Sequence, residues 1–342
     1  MLGYLTEILE QVKGLRGEIM KGRVAGVVLL SFSLVASTIA FDQMRTGKPS
    51  LEGSLIYHRY SEYSAWDATM WLLDLPTGEL NQVGADWQSM VSPINAHFSA
   101  DAQTITFMGS QAGLSENEWD VFTSRWQNGQ WQEPINITGP NGARDEDPKF
   151  SPDGSRIIYK ENGVLTTVSV NGGAKTYLTV GKPQSSMPYF RSNGKDVLFE
   201  REGDIYLLQN GVEKKMFAGE GLSSYYPIGV DMDSYLYTRI QYNKHDSIMK
   251  GFYDGSPSEN YFFNSTDWDT SDSYPYEDAK KIIFFVSGDT MIFHGGYNLA
   301  LADLGRKKIY SIDELYSDIS RTDINSDLQE LGPAWTSIRF KK

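Results

Sequence analysis

After residue 50, apolar and polar positions alternate in short runs, each closed by a turn, and the helical period is nearly absent. The clearest run reads Asp147-Pro148-Lys149-Phe150, then Ser151-Pro152-Asp153-Gly154, then Ser155-Arg156-Ile157-Ile158-Tyr159. It predicts a strand, a tight turn and a second strand. Pro152 presets φ, Asp153 can bond the backbone ahead of it, and Gly154 supplies a positive φ. Ile157, Ile158 and Tyr159 suit a buried strand. The same shape returns at residues 96–107 and 188–199, with weaker copies starting at Pro227 and Pro275 and a last one at Pro333. The anchors Ala96, Pro148, Pro188, Pro227, Pro275 and Pro333 stand roughly 40 to 60 residues apart, close to the length of a four-stranded propeller blade.

The expected architecture is therefore all-β: a β-propeller of six four-stranded blades, or seven if two units are merged in this count. Blade 1 takes three strands from residues 54–60, 69–75 and 79–83. It lacks an inner strand, which residues 333–340 supply from the far end of the chain. Without this closure the ring would have two open edges, which invite aggregation. Blades 2 to 5 are expected at residues 95–138, 147–180, 187–218 and 226–263. Blade 6 starts near Tyr274, and residues 311–331 form an irregular or helical excursion before the closing strand.

The N-terminus reads as an address. Lys21 and Arg23 precede an apolar run over residues 24–41 that ends in small residues. Residues 20–40 thus have the form of a secretory signal peptide, with a retained single-span anchor as the alternative. Residues 1–19 are a doubtful extension, and residues 51–342 are one propeller domain. The expected location is secreted or periplasmic, with no stable membrane insertion after cleavage.

Charge and composition narrow the function. A net charge of −13 with no basic stripe argues against nucleic acid as a partner. With no cysteine, disulfides, thiolate metal sites and Cys nucleophiles are excluded. There is no Gly-x-Ser-x-Gly elbow, phosphate loop or dinucleotide fingerprint. The tryptophans are expected in blade cores, except that the Trp126–Trp131 hairpin, turning at Asn128-Gly129, reads as partly exposed.

The repeat, with its anchor Pro, aromatic, Ser-Pro-Asp-Gly turn and a later strand such as Asp204-Ile205-Tyr206-Leu207, resembles the TolB-type, WD-like six-bladed propellers of secreted bacterial proteins. The resemblance covers roughly residues 51–342. Blade 2 departs from it with Ala100-Asp101-Ala102, and blade 5 lacks the turn motif. It implies the fold strongly and the function weakly, since such propellers include binding scaffolds, peptidase accessory domains and polysaccharide lyases.

In such a ring the residues flanking each anchor converge on the channel mouth. Expected ligand contacts are Asn95, Asp147, Tyr225, Tyr226, Tyr274 and Tyr276. His97, Tyr189, Lys149 and Arg144 supply the base and cation types that β-elimination on a uronate needs. Asp145, Glu146 and Asp147 offer hard oxygens for a Ca²⁺ ion, against the plainer reading as a solvated acidic turn; no other cofactor is expected. Three functions stay open. The protein binds a glycan or a partner protein at the channel mouth; it is a polysaccharide lyase on a uronic-acid polymer; or it is an envelope protein-interaction scaffold. A monomer is expected.

Overall fold

Ile157 and Tyr159 pack toward one neighbouring sheet and Ile158 toward the other. Leu55 and Tyr57 are divided from Ile56 in the same way. Alternation along these strands separates two buried interfaces, rather than a core face from a solvent face. Strand Ile282–Gly288 is accordingly buried at every position. With almost no helix among the described residues to cover them, sheets apolar on both sides bury their faces by stacking on one another, here around a ring. Each fully buried aliphatic or aromatic side chain adds about 1.5–3 kcal/mol to that stacking.

The computed structural model describes residues 47–113, 118–217, 223–241, 244–277, 281–288, 296–317 and 328–341. The expected signal segment and N-terminal extension lie outside them. From Leu51 onward the chain forms six antiparallel blades. From the inner strand outward, blade 1 is Gln329–Thr336, Ser54–Tyr60, Thr69–Asp74 and Glu79–Val83. The other inner strands are Met90–Phe98, Asp145–Phe150, Ser186–Phe190, Ser223–Gly229 and Asp269–Pro275. Blade 2 carries an additional short strand, Ile135–Asn136, on its third strand. Successive inner strands touch around the whole circle, so the ring is closed. Among the described residues no helix is long and apolar enough to cross a membrane.

Closure uses the two ends of the domain, with Ser54 opposite Thr336 and Tyr60 opposite Gln329. The closing strand begins four residues earlier than the sequence repeat suggests, because pairing extends past the anchor on both sides. A buried ion pair reinforces it. Arg59 donates through Nε and Nη2 to Oε1 of Glu330 at 3.0 and 2.8 Å, and Glu330 Oε2 accepts the Leu299 N–H of blade 6. Beyond this strand the tail folds back under blades 1 and 2. Arg339 makes two 2.6 Å bonds to Asp74, and the Phe340 ring lies 5.1 Å from both Trp126 and Trp131. Of the expected excursion, Ile312–Leu315 is a short helix capped by Ser311, and residues 318–327 lie outside the described residues.

The irregular turns keep the geometry by substitution. Ala102 adopts φ +55° where blades 3 and 4 place Gly154 and Gly194, and all three make the same 2.8–2.9 Å turn bond. In blade 5 the Asp231 side chain accepts the N–H groups of Asp233 and Ser234, an Asx turn in place of the missing motif.

Candidate functional site

Each inner strand places a residue in the left-handed region at the same height, and blade 2 has a further one at Ser92. The six at the same height are Asn95, Asp147, Met187, Tyr226, Asp272 and Gly332, with φ from +47° to +61°. At each, the strand slips register against its neighbour, so every blade carries a bulge next to the axis. Proline follows in four of the six blades, because a residue at a bulge gives up no ladder donor. Five left-handed residues with side chains in one ring concentrate backbone strain at the channel, where such strain commonly marks function. In blade 1 the place needs glycine: a Cβ on Gly332 would stand 2.9 Å from the His58 ring and 3.0 Å from Asn95 Oδ1.

These bulges and the two residues after each, Pro148 excepted, line one axial chamber of about 70 Å³. His97, Lys149, Tyr189, Ile228, Tyr274 and Ala334 hold equivalent positions, two residues beyond the left-handed one. The anchor of blade 6 is therefore Ser273, and Pro275 already lies back in register opposite Ile283. This corrects the expected repeat. Tyr276 falls outside the chamber, buried against Trp335 and Phe284, with its hydroxyl accepting the Glu52 N–H at 2.9 Å. Tyr225 also turns away, donating to Asp246 between blades 5 and 6. Arg144 stays outside, bonded to Glu146 and the Tyr63 hydroxyl at 2.6 Å each. Of the expected residues, Asn95, His97, Asp147, Lys149, Tyr189, Tyr226 and Tyr274 line the chamber. Asp272 and Ser273 line it too, beyond the expected contacts. For Asp272 the signal is the side-chain type, since Asn and Asp tolerate the left-handed region best and occupy it in blades 2, 3 and 6.

The acidic run does not form a metal site. Asp145 is fully buried near the Asn141 amide, Glu146 is paired with Arg144 and Lys160, and Asp147 faces the chamber. Alternation along the strand sends neighbours to opposite faces, so the three carboxylates never meet at one point. Among the described residues no group of three His, Asp or Glu side chains converges as metal ligands would.

The chamber holds two carboxylates and one ammonium. Asn95 Nδ2 donates to Asp147 at 2.9 Å, Ser271 donates to Asp272 at 2.7 Å, and Lys149 Nζ donates to the Pro148 carbonyl at 3.3 Å. Burial raises the Asp272 carboxyl to about 6, with Asp147 adding to the shift and Lys149 opposing it. Burial likewise raises Asp147 and depresses Lys149. Tyr226 is held well above the usual phenol range, first by Asp272 and then by burial. Burial, with help from Lys149, holds both His58 and His97 down at about 3, so each ring is neutral. His97 Nδ1 accepts the Phe150 N–H at 3.2 Å, which puts the ring proton on Nε2. That buried Nε2 and the Ser273 hydroxyl have no protein partner.

Below the chamber, the rings of His97, Tyr189 and Tyr274 form a waist. Tyr189 stands edge-on to His97 at 5.9 Å, Tyr274 lies 6.4 Å from it, and the two phenols are near enough to shift each other's proton affinity. The same three residues line a second depression of about 350 Å³ beyond the waist. On the chamber side stands an aromatic shelf. Trp66 and Tyr63 stack on Trp119 at 4.5 and 6.0 Å, and Tyr60 packs edge-on to Tyr63.

No family model matches the chain, and no curated protein matches it by sequence. Solved structures match by shape. A putative TolB from Agrobacterium tumefaciens aligns with TM-score 0.54 at 16% identity, over 77% of this chain and 89% of that one. An oligogalacturonate lyase from Vibrio parahaemolyticus aligns with TM-score 0.52 at 12% identity, over 75% and 78%. Hydrazine synthase from Kuenenia stuttgartiensis aligns with TM-score 0.64 at 11% identity, over 87% of this chain but 48% of its own. Identities this low establish a shared architecture and not a shared activity. On its strand order, its bulged inner ring and these likenesses, the chain is a six-bladed β-propeller of the TolB-like fold.

Proposed function

We propose that this protein is a binding propeller that recognises a partner protein on the shelf side of the ring and takes the cationic tip of a Lys or Arg side chain into the axial chamber. The observation that carries this reading is the charge imbalance of Asp147 and Asp272 against Lys149 in a buried space. Two carboxylates face one ammonium, so the chamber is one positive charge short when both are ionised. A cation entering it gains a Coulomb attraction that water scarcely screens. Size points the same way. Pockets for small ligands run to roughly 300–1,000 Å³, and the chamber, at about 70 Å³, takes the end of a side chain but not a sugar ring. Tyr60, Tyr63 and Trp66 beside it are of the types that anchor protein interfaces.

Lyase chemistry finds less support in the same residues. A general base must accept a proton near the working pH. His97 has its acceptor nitrogen occupied and is held down at about 3, while Tyr189 is raised to about 12. Neither is poised to abstract a proton at neutral pH.

The test uses short Gly/Ser peptides bearing Lys, Arg or norleucine at the centre. The basic peptides are expected to bind more tightly than the norleucine one. Asp272→Asn and Asp147→Asn should each weaken that binding about tenfold or more, the loss of one charge-assisted contact. Equal binding of norleucine, or no effect of either substitution, would refute the reading.

A further inference from the structure

A second cavity, of about 760 Å³, opens between blades 1 and 2 and lies within the ligand-pocket range that the axial chamber falls short of. Its walls are strand Glu79–Val83 with the turn after it, the Gln130–Trp131 hairpin, and the C-terminal tail. We propose that this groove is a separate binding site for a neutral saccharide.

Two observations carry the proposal. First, the groove combines partly exposed rings, Trp126 and Phe340, with the carboxamides of Gln82, Asn128 and Gln130. Apolar ring surfaces cover the C–H face of a sugar while amides meet its hydroxyls, each amide offering both a donor and an acceptor. None of those three amides bonds another described residue. Second, charge selects among sugars. Asp74 is neutralised by Arg339, while Glu79 and Asp86 outnumber Lys341 along the rim. A uronate or phosphate would meet repulsion there, and a neutral saccharide meets none. The tail that follows the closing strand thereby forms one wall of a site at the outer strand of blade 1, away from the axis.

The experiment is isothermal titration of the protein with neutral cello-, malto-, xylo- and chito-oligosaccharides, with polygalacturonate as the charged control and tryptophan fluorescence as a second readout. At least one neutral series should bind with a millimolar or tighter dissociation constant and perturb the fluorescence, and polygalacturonate should not. Trp126→Ala should weaken binding about tenfold, equivalent to roughly 1.4 kcal/mol of lost stacking. Gln82→Ala, at an exposed position that leaves the fold intact, should weaken it measurably. Asp272→Asn should leave it unchanged, which separates this site from the axial one. The proposal is overturned if no neutral series binds at millimolar concentration, if polygalacturonate binds as well as they do, or if neither Trp126→Ala nor Gln82→Ala alters the affinity.

Discussion

His97 occupies the position where a sequence reading looks for a base, and its surroundings make it a donor. Its Nδ1 is engaged by a backbone N–H and its proton affinity is depressed from 6.5 to about 3. The unfolded chain takes up this proton below about pH 6.5, whereas the folded chain resists until about 3. The histidine's contribution to stability is therefore complete above that window and is lost as pH falls through it. His97→Gln should consequently cost less stability near pH 4 than near pH 7, measured by urea unfolding at both. An equal cost at the two pH values would contradict the neutral, buried ring. Backbone conformation gives a second test at this scale. Gly154 has φ +70°, and a methyl group placed there would meet nothing within 4 Å, so Gly154→Ala should cost about 1 kcal/mol through conformation alone. Ala102→Gly, at φ +55°, should cost less than an ordinary buried Ala→Gly change, because relief of that strain offsets the lost methyl burial. Chemical denaturation of both variants checks the pair. The chamber residues are readable in the sequence where the anchor proline marks the bulge, as at Asp147-Pro148-Lys149. They are misplaced in blade 6, where Pro275 sits two residues past the true anchor and draws Tyr276 into the expected ring. The decisive property there is the left-handed backbone of Asp272, which no apolar pattern encodes.

At the scale of elements, turn chemistry carries most of the information. Ser-Pro-Asp-Gly announces its hairpin, whereas the Asp231 turn does the same work with a side-chain acceptor and escapes a motif search. The closing strand is legible as a sixth copy of the anchor, but its start at Gln329 is not, because that boundary depends on the pairing partner Tyr60 rather than on local sequence. Removing residues from Pro333 onward should abolish soluble folded protein, since it strips half of the closing strand and the tail from blades 1 and 2. A monomeric truncation with an unchanged melting curve would refute that role. The tail itself permits a finer test. Phe340→Ala removes a ring packed on Phe98, Trp126 and Trp131. Because Phe340 keeps some exposure, the loss should be about 2 kcal/mol, below the roughly 3–5 kcal/mol of a fully buried phenylalanine. Denaturant melts of the variant would show it.

At the scale of the molecule, six equivalent bulges gather residues from every blade around one axis, and the ring turns modest local differences into a site. Blades 2, 3 and 6 contribute Asn95, Asp147 and Asp272, blade 3 contributes Lys149, and blades 2, 4 and 6 supply the waist. A binding function rests on that chamber being one positive charge short. Because burial raises the Asp272 carboxyl to about 6, an entering cation lowers its proton affinity and expels part of a proton near that pH. The direct measurement is isothermal titration of a lysine-bearing peptide near pH 6 in buffers of different ionisation enthalpy, with wild type and Asp272→Asn side by side. Net proton release on binding to the wild type, reduced by the substitution, is the predicted result. Binding with no proton exchange, or with proton uptake, would contradict the account.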